Sequence, residues 1–305
     1  MTSVKSAERD MDQLRSPADT GPWEDTSPAL AVDAAGKSDR GRVRGSNEDQ
    51  FLVAELAKLL RIEQSTLPEP GTQLGNVHGH LFLVADGMGG HAGGEIASRI
   101  AASTIEECLL NSLKWFLRPQ GEEGREVVEH LQGAVVEADA RVLRAAKGRP
   151  ELKGMGSTLT LALAVGRSLF IAHVGDSRAY LLRDGKLYRL TKDHTLINDL
   201  TARGDLLPGQ DVSPRLRHVI TNAIGGSDAG VRVEVLRAGL EPGDRLLLCT
   251  DGLTDLLDDE AITSMLAAHP KSATACEQLV DEANERGGHD NITAVVAAFT
   301  APLAA

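Results

Sequence analysis

Ser157-Thr-Leu-Thr-Leu-Ala-Leu-Ala-Val165, Leu169-Phe-Ile-Ala-His-Val174 and Ala179-Tyr-Leu-Leu-Arg183 follow one another with only Gly166-Arg-Ser and Gly175-Asp-Ser-Arg178 at the joints. Parallel strands need a crossover of a dozen or more residues, so runs joined this tightly read as antiparallel strands. Asp184-Gly185 makes the next hairpin turn. Working outward, apolar residues recur at helical spacing from Ala92 to Leu117 (Ile96, Ile100, Ile105, Leu109) and from Glu122 to Ala146 (Val127, Leu131, Val135, Val142). Further strands are expected at Ala31–Val43, Phe51–Glu55, Leu81–Ala85, Val231–Val235, Asp244–Thr250 and Ile292–Phe299, with helices at Asp259–Ala268 and Ser272–Arg286. Glu55 to His80, which contains Leu67-Pro-Glu-Pro-Gly, reads as a surface loop with one short helical turn. Residues 191–218 read as an ordered but poorly packed flap. The fold class is α+β: a four-layer α/β/β/α sandwich in which two central antiparallel sheets are flanked by helices.

A chain of 305 residues with 42% hydrophobic content can bury a large core as one domain. The formal net charge of -12 argues against nucleic-acid binding and leaves any anionic substrate dependent on metal or local arginine. Cys108, Cys249 and Cys276 form no short-spaced pair, so neither a disulfide framework nor a thiolate zinc site is indicated and a reducing cytoplasm fits best; the chain is expected to be a monomer. No stretch reaches the length of a membrane span. Residues 1–30, polar and punctuated by proline, read as a disordered leader, 31–300 as the working domain and 301–305 as a short tail.

Two apolar runs end in Asp-Gly, at Asp86-Gly87 and at Asp251-Gly252, and Asp49 and Asp290 add carboxylates from elsewhere. Carboxylates gathered in one cleft repel each other unless cations neutralise them, which points to a metallohydrolase acting on an anion. The ordered blocks Arg44-Gly-Ser-Asn-Glu-Asp49, Asp86-Gly-Met-Gly-Gly-His-Ala-Gly-Gly-Glu95, Gly156-Ser-Thr158, Val174-Gly-Asp-Ser-Arg178, Asp251-Gly-Leu-Thr-Asp255 and Asp290-Asn291 resemble the PPM-type (type 2C) metal-dependent protein serine/threonine phosphatases, bacterial members in particular.

That resemblance implies hydrolysis of phosphoserine and phosphothreonine on proteins by a metal-activated water at a binuclear Mn²⁺ or Mg²⁺ centre, with a third, weaker ion. It gives Asp86 the bridging position, Gly87 a carbonyl ligand, Asp251 and Asp290 one ion, and Asp49 the other. Glu48 is a water-holding candidate, and Arg44 has the fork for two phosphate oxygens. Asp176 is open between a third-ion ligand and a tight turn. Arg178 reads as a brace, and Gly156-Ser-Thr158 as strand entry. Met88 stands where animal relatives have histidine, so the general acid is open: His91 can cap a helix, and His194 can either reach a leaving group or anchor the flap. His289 reads as a loop residue. The expected partners are phosphorylated proteins, the substrates of serine/threonine kinases. Two other readings are a phosphatase of small esters and an inactive metal-binding signalling module.

Overall fold

Leu81, Leu83 and Ala85 belong to one apolar cluster and Phe82 and Val84, facing the other way, to a second; all five are buried. A strand apolar on both faces needs cover on both, which places it inside a layered stack. The computed structural model describes residues 30–60, 73–89, 93–111, 123–206, 213, 216, 218–226 and 230–302. Its elements are β1 (Ala31–Asp39), β2 (Gln50–Leu60), β3 (Gln73–Ala85), β4 (Gly87–Met88), α1 (Gly93–Asn111), α2 (Glu123–Ala146), β5 (Gly156–Ser157), β6 (Leu159–Val165), β7 (Ser168–Val174), β8 (Arg178–Arg183) and β9 (Lys186–Arg189). They continue with α3 (Leu196–Arg203), β10 (Glu234–Gly239), β11 (Arg245–Cys249), α4 (Asp251–Thr254), α5 (Asp259–Ala268), α6 (Ser272–Glu285) and β12 (Ile292–Thr300).

Two five-stranded sheets run in the orders β1-β12-β11-β8-β9 and β10-β7-β6-β3-β2, and every pairing in them is antiparallel. Phe82, Ile171, Leu181, Leu248 and Phe299 meet between the sheets. On the far side of one sheet Leu161 and Phe170 pack against Ile105, Leu131 and Val135 of α1 and α2. On the far side of the other, Leu247 and Val296 pack against Ile262, Leu279 and Val280 of α5 and α6. The result is the expected α/β/β/α sandwich, and among the described residues no helix is long and apolar enough to cross a membrane.

Three stretches differ from the sequence reading. The segment from Glu55 to His80 is largely strand: β2 reaches Leu60 and β3 starts at Gln73, pairing Glu55 with His80, Ala57 with His78 and Leu59 with Leu74. A register shift between Ala57 and Leu59 breaks the alternation that would have revealed it. β10 begins three residues later than Val231, because the ladder to β7 sets it, from Glu234 opposite His173 to Gly239 opposite Ser168. The root of the flap is packed: Thr191, Asp193, His194 and Thr195 are all buried. Of the expected leader only Leu30 is described, and it is buried between the sheets; residues 112–117 of the first expected helix, and His91, lie outside the described residues.

Candidate metal centre

The two sheets end together at one cleft of about 1360 Å³. Asp86 follows β3 in one sheet, while Asp251 follows β11 and Asp290 precedes β12 in the other. Asp176 sits in the turn from β7 to β8, where the chain passes between the sheets. Asp86, Gly87, Asp176, Asp251 and Asp290 line the cleft together with Arg44 and Glu48. Asp49 is buried behind them, at the start of β2.

Each position is set by backbone and hydroxyl contacts. Asp86 N–H donates to Thr158 Oγ1 (2.9 Å), and its carbonyl accepts from Thr158 N (2.8 Å) and Ser157 Oγ (2.9 Å). The Gly156-Ser-Thr158 block, read from sequence as strand entry, also holds the Asp86 backbone through Ser157 and Thr158. Asp49 Oδ2 accepts from Thr250 Oγ1 (2.9 Å) and Thr293 Oγ1 (2.6 Å). Asn291 spans the loop that carries Arg44 and Glu48: its Nδ2 donates to the carbonyls of Arg40 and Ser46 (both 2.9 Å), and its Oδ1 accepts from Glu48 N (2.8 Å). Arg44 donates to Asp290 Oδ2 at 2.6 Å and is otherwise exposed. Arg178 braces the flap root through Asp193 (Nη2 to Oδ2, 2.9 Å).

Gly87 has no room for a side chain, because a Cβ there would run into the Gly94 and Glu48 carbonyls. Gly87→Ala is therefore expected to lower stability by about 1–3 kcal/mol through overpacking. A fall in the urea midpoint at unchanged slope would show this, and an unchanged midpoint would mean the backbone yields freely.

The electrostatics match a site made for cations. Asp49 Oδ1, Asp176 Oδ1 and Asp251 Oδ1 are buried with no hydrogen-bond partner in the protein. Such oxygens are costly unless something positive meets them, and hard divalent ions take carboxylate and carbonyl oxygens. Burial pushes the Asp49 carboxyl up to about 7, against the hydrogen bonds from Thr293 and Thr250. Burial and then the Asp251 charge push Asp176 up to about 8, and burial and then Asp255 push Asp251 up to about 6. Asp86 is raised well above the carboxylate range by burial and by the charges of Asp49, Asp251, Asp176 and Asp290. Glu48 is raised as well, mainly by burial.

Of the two roles that sequence leaves open for His194, the geometry fits the anchor. His194 does not line the cleft: Nδ1 accepts from Gly175 N (3.0 Å) and Nε2 faces Glu234 Oε1 (3.2 Å), so it anchors rather than donates to a leaving group. Sequence reasoning assigned no role to His218, which the flap brings to the cleft, with Nδ1 4.0 Å from Asp251 Oδ2 and 3.7 Å from Asp255 Oδ2. It also passed over Thr250 and Thr293. Their only signal is a hydroxyl at the end of one apolar run and another at the start of a second.

A family model for protein phosphatase 2C matches residues 74–292. The serine/threonine protein phosphatase PstP of Mycobacterium tuberculosis (strain ATCC 25618 / H37Rv) is 35% identical over 268 residues, 88% of this chain and 45% of that relative. The chain thus spans less than half of that relative's length. The serine/threonine phosphatase stp of Listeria monocytogenes serovar 1/2a is 29% identical over 260 residues, 85% of this chain and 93% of that protein. The solved catalytic domain of PstP in complex with 2 manganese ions is similar with a TM-score of 0.67 at 34% identity, over 89% of this chain and 99% of that one. The chain belongs to the protein phosphatase 2C family.

Proposed function

We propose that this chain hydrolyses phosphoserine and phosphothreonine on proteins, using divalent cations held by Asp49, Asp86, Asp176, Asp251, Asp290 and the Gly87 carbonyl. The observation that carries this reading is the set of partnerless carboxylate oxygens on Asp176 and Asp251, which line the cleft, and on Asp49, buried behind them. When bound, Mn²⁺ or Mg²⁺ supplies Lewis acidity that makes a water nucleophilic at neutral pH and offsets phosphoryl charge. The chain's own residues do the rest. The carboxylates fix where charge is neutralised, and Arg44, steered by Asp290, presents its guanidinium at the cleft mouth to grip phosphate oxygens. Glu48, with its raised pKa, can accept and return a proton close to Arg44. At about 1360 Å³ the cleft exceeds the roughly 300–1,000 Å³ usual for a small-molecule pocket, which favours a protein segment over a small ester. An inactive module has no use for a full set of strained carboxylates.

We place the protein in the cytoplasm as a monomer, with two core ions and a third at Asp176. Burial pushes the Cys249 and Cys276 thiols up to about 12, so neither is a reactive thiolate at neutral pH. The testing experiment compares phosphoserine, phosphothreonine and phosphotyrosine peptides with p-nitrophenyl phosphate, in Mn²⁺ and then in chelator. Chelator-insensitive turnover, or turnover confined to small esters, would overturn the reading.

Arg44→Ala is expected to raise KM for a phosphopeptide about 10- to 100-fold, the worth of a lost charge-assisted contact of roughly 1.5–3 kcal/mol. Cation content should stay intact. A wild-type KM would remove Arg44 from substrate binding.

A further inference from the structure

His194 joins four segments that sequence leaves far apart. Its Nδ1 accepts from Gly175 N and from Asn222 Nδ2, both at 3.0 Å, so the ring proton belongs on Nε2, which points at Glu234 Oε1 of β10 at 3.2 Å. Its backbone repeats the link: His194 N donates to the Gly175 carbonyl (2.7 Å), and its own carbonyl accepts from Thr221 N (2.9 Å). The ring lies 4.9 Å from that of His173, itself held by Thr160 Oγ1 (2.9 Å) and the Lys192 carbonyl (3.1 Å). Both ends of the flap are thus tied to the turn that precedes Asp176.

From that turn the contact continues inward. Gly175 has φ +107 and lies against Thr158, where a Cβ would come within 2.6 Å of the side chain. The Thr158 hydroxyl is shared between Asp86 N (2.9 Å) and Ser177 Oγ (2.8 Å). We propose that His194 is a positioning residue: by accepting the Gly175 and Asn222 donors together on Nδ1, it sets the Asp176 turn relative to Asp86 and with it the affinity for a cation at Asp176. This rests on the cation-centre reading above.

Two substitutions separate the ring nitrogens. Asparagine puts Oδ1 near the place of Nδ1 and keeps the acceptor, whereas glutamine reaches toward Nε2 and loses it. Both lose the stacking on His173, so packing alone predicts the same result for each. Full-length wild type, His194→Asn and His194→Gln are titrated with Mn²⁺ by calorimetry, with phosphopeptide KM and kcat measured alongside. In the glutamine variant the weakest Mn²⁺ is expected to bind about 10- to 100-fold less tightly, the usual effect of losing an outer contact to a ligand, with the asparagine variant close to wild type. Indistinguishable titrations of the two variants would overturn the positioning role. Wild type that takes up no Mn²⁺ would instead overturn the cation centre itself. If the glutamine variant does not fold, Asn222→Asp decides: its carboxylate keeps the contact from Arg232 N but cannot donate to Nδ1. The same ion should then weaken, and unchanged binding would sink the proposal.

Discussion

Asparagine in place of Asp86 is expected to abolish turnover and, at the same time, to raise the unfolding midpoint of the cation-free protein. The two effects share a cause. Asp86 is held at the convergence of Asp49, Asp176, Asp251 and Asp290, whose charges all push its pKa up beyond what burial does alone. The neutral amide removes that repulsion while keeping the size and the backbone contacts to Thr158. Relief on the order of 1–3 kcal/mol is expected without cations, which is about 2–4 °C per kcal/mol for a domain of this length. If Asp86 holds cations as proposed, the variant also loses several kcal/mol of transition-state stabilisation, at least about 10³-fold in rate. Thermal scans in chelator and turnover in Mn²⁺ measure the two halves separately. A variant that is both less stable without metal and fully active with it would refute the reading of the cleft.

The second large effect concerns pH. Folded-state values of about 7 for Asp49, about 8 for Asp176 and about 6 for Asp251 lie above the ordinary aspartate value of 3.8, so in this range the folded state binds more protons than the unfolded one. The stability these groups contribute is full below about pH 4 and is lost as pH rises to about 8. His173 acts in the opposite sense. Burial holds it neutral, down to about 4, so its contribution is full above 6.5 and fades as pH falls below that, by about 1.4 kcal/mol at pH 5.5. Three carboxylates outweigh one imidazole, although their titrations overlap because they repel one another. The chelated protein should therefore melt at a higher temperature at pH 5.5 than at pH 8. Mn²⁺ should reverse that order, since ligation needs the deprotonated forms. Equal midpoints at both pH values in chelator would show that the carboxylates ionise freely.

The layers were legible because the apolar runs here are long and both-sided: Leu81–Ala85 and Leu246–Cys249 read as buried strands with no tertiary information. Asp86 was legible because Gly87-Met-Gly-Gly90 continues without the polar strand that a hairpin turn such as Asp184-Gly185 needs. What escaped reading depends on contacts across the chain. The outer part of β2 and β3 exists through pairing over a register shift, which no local pattern records. Sequence leaves His194 open between reaching a leaving group and anchoring the flap, and only the fold shows its ring turned toward Gly175 and Glu234. Thr250 and Thr293 matter through hydroxyls that converge on Asp49 from 201 and 244 residues away.

The carboxylates come from both sheets, and Asp176 stands on the connection between them. Neither sheet alone carries the full set, so a partly assembled chain has nothing of comparable affinity to offer an ion. Cations bound across that seam would grip the assembled state alone and so act as a latch, lengthening the life of the native molecule.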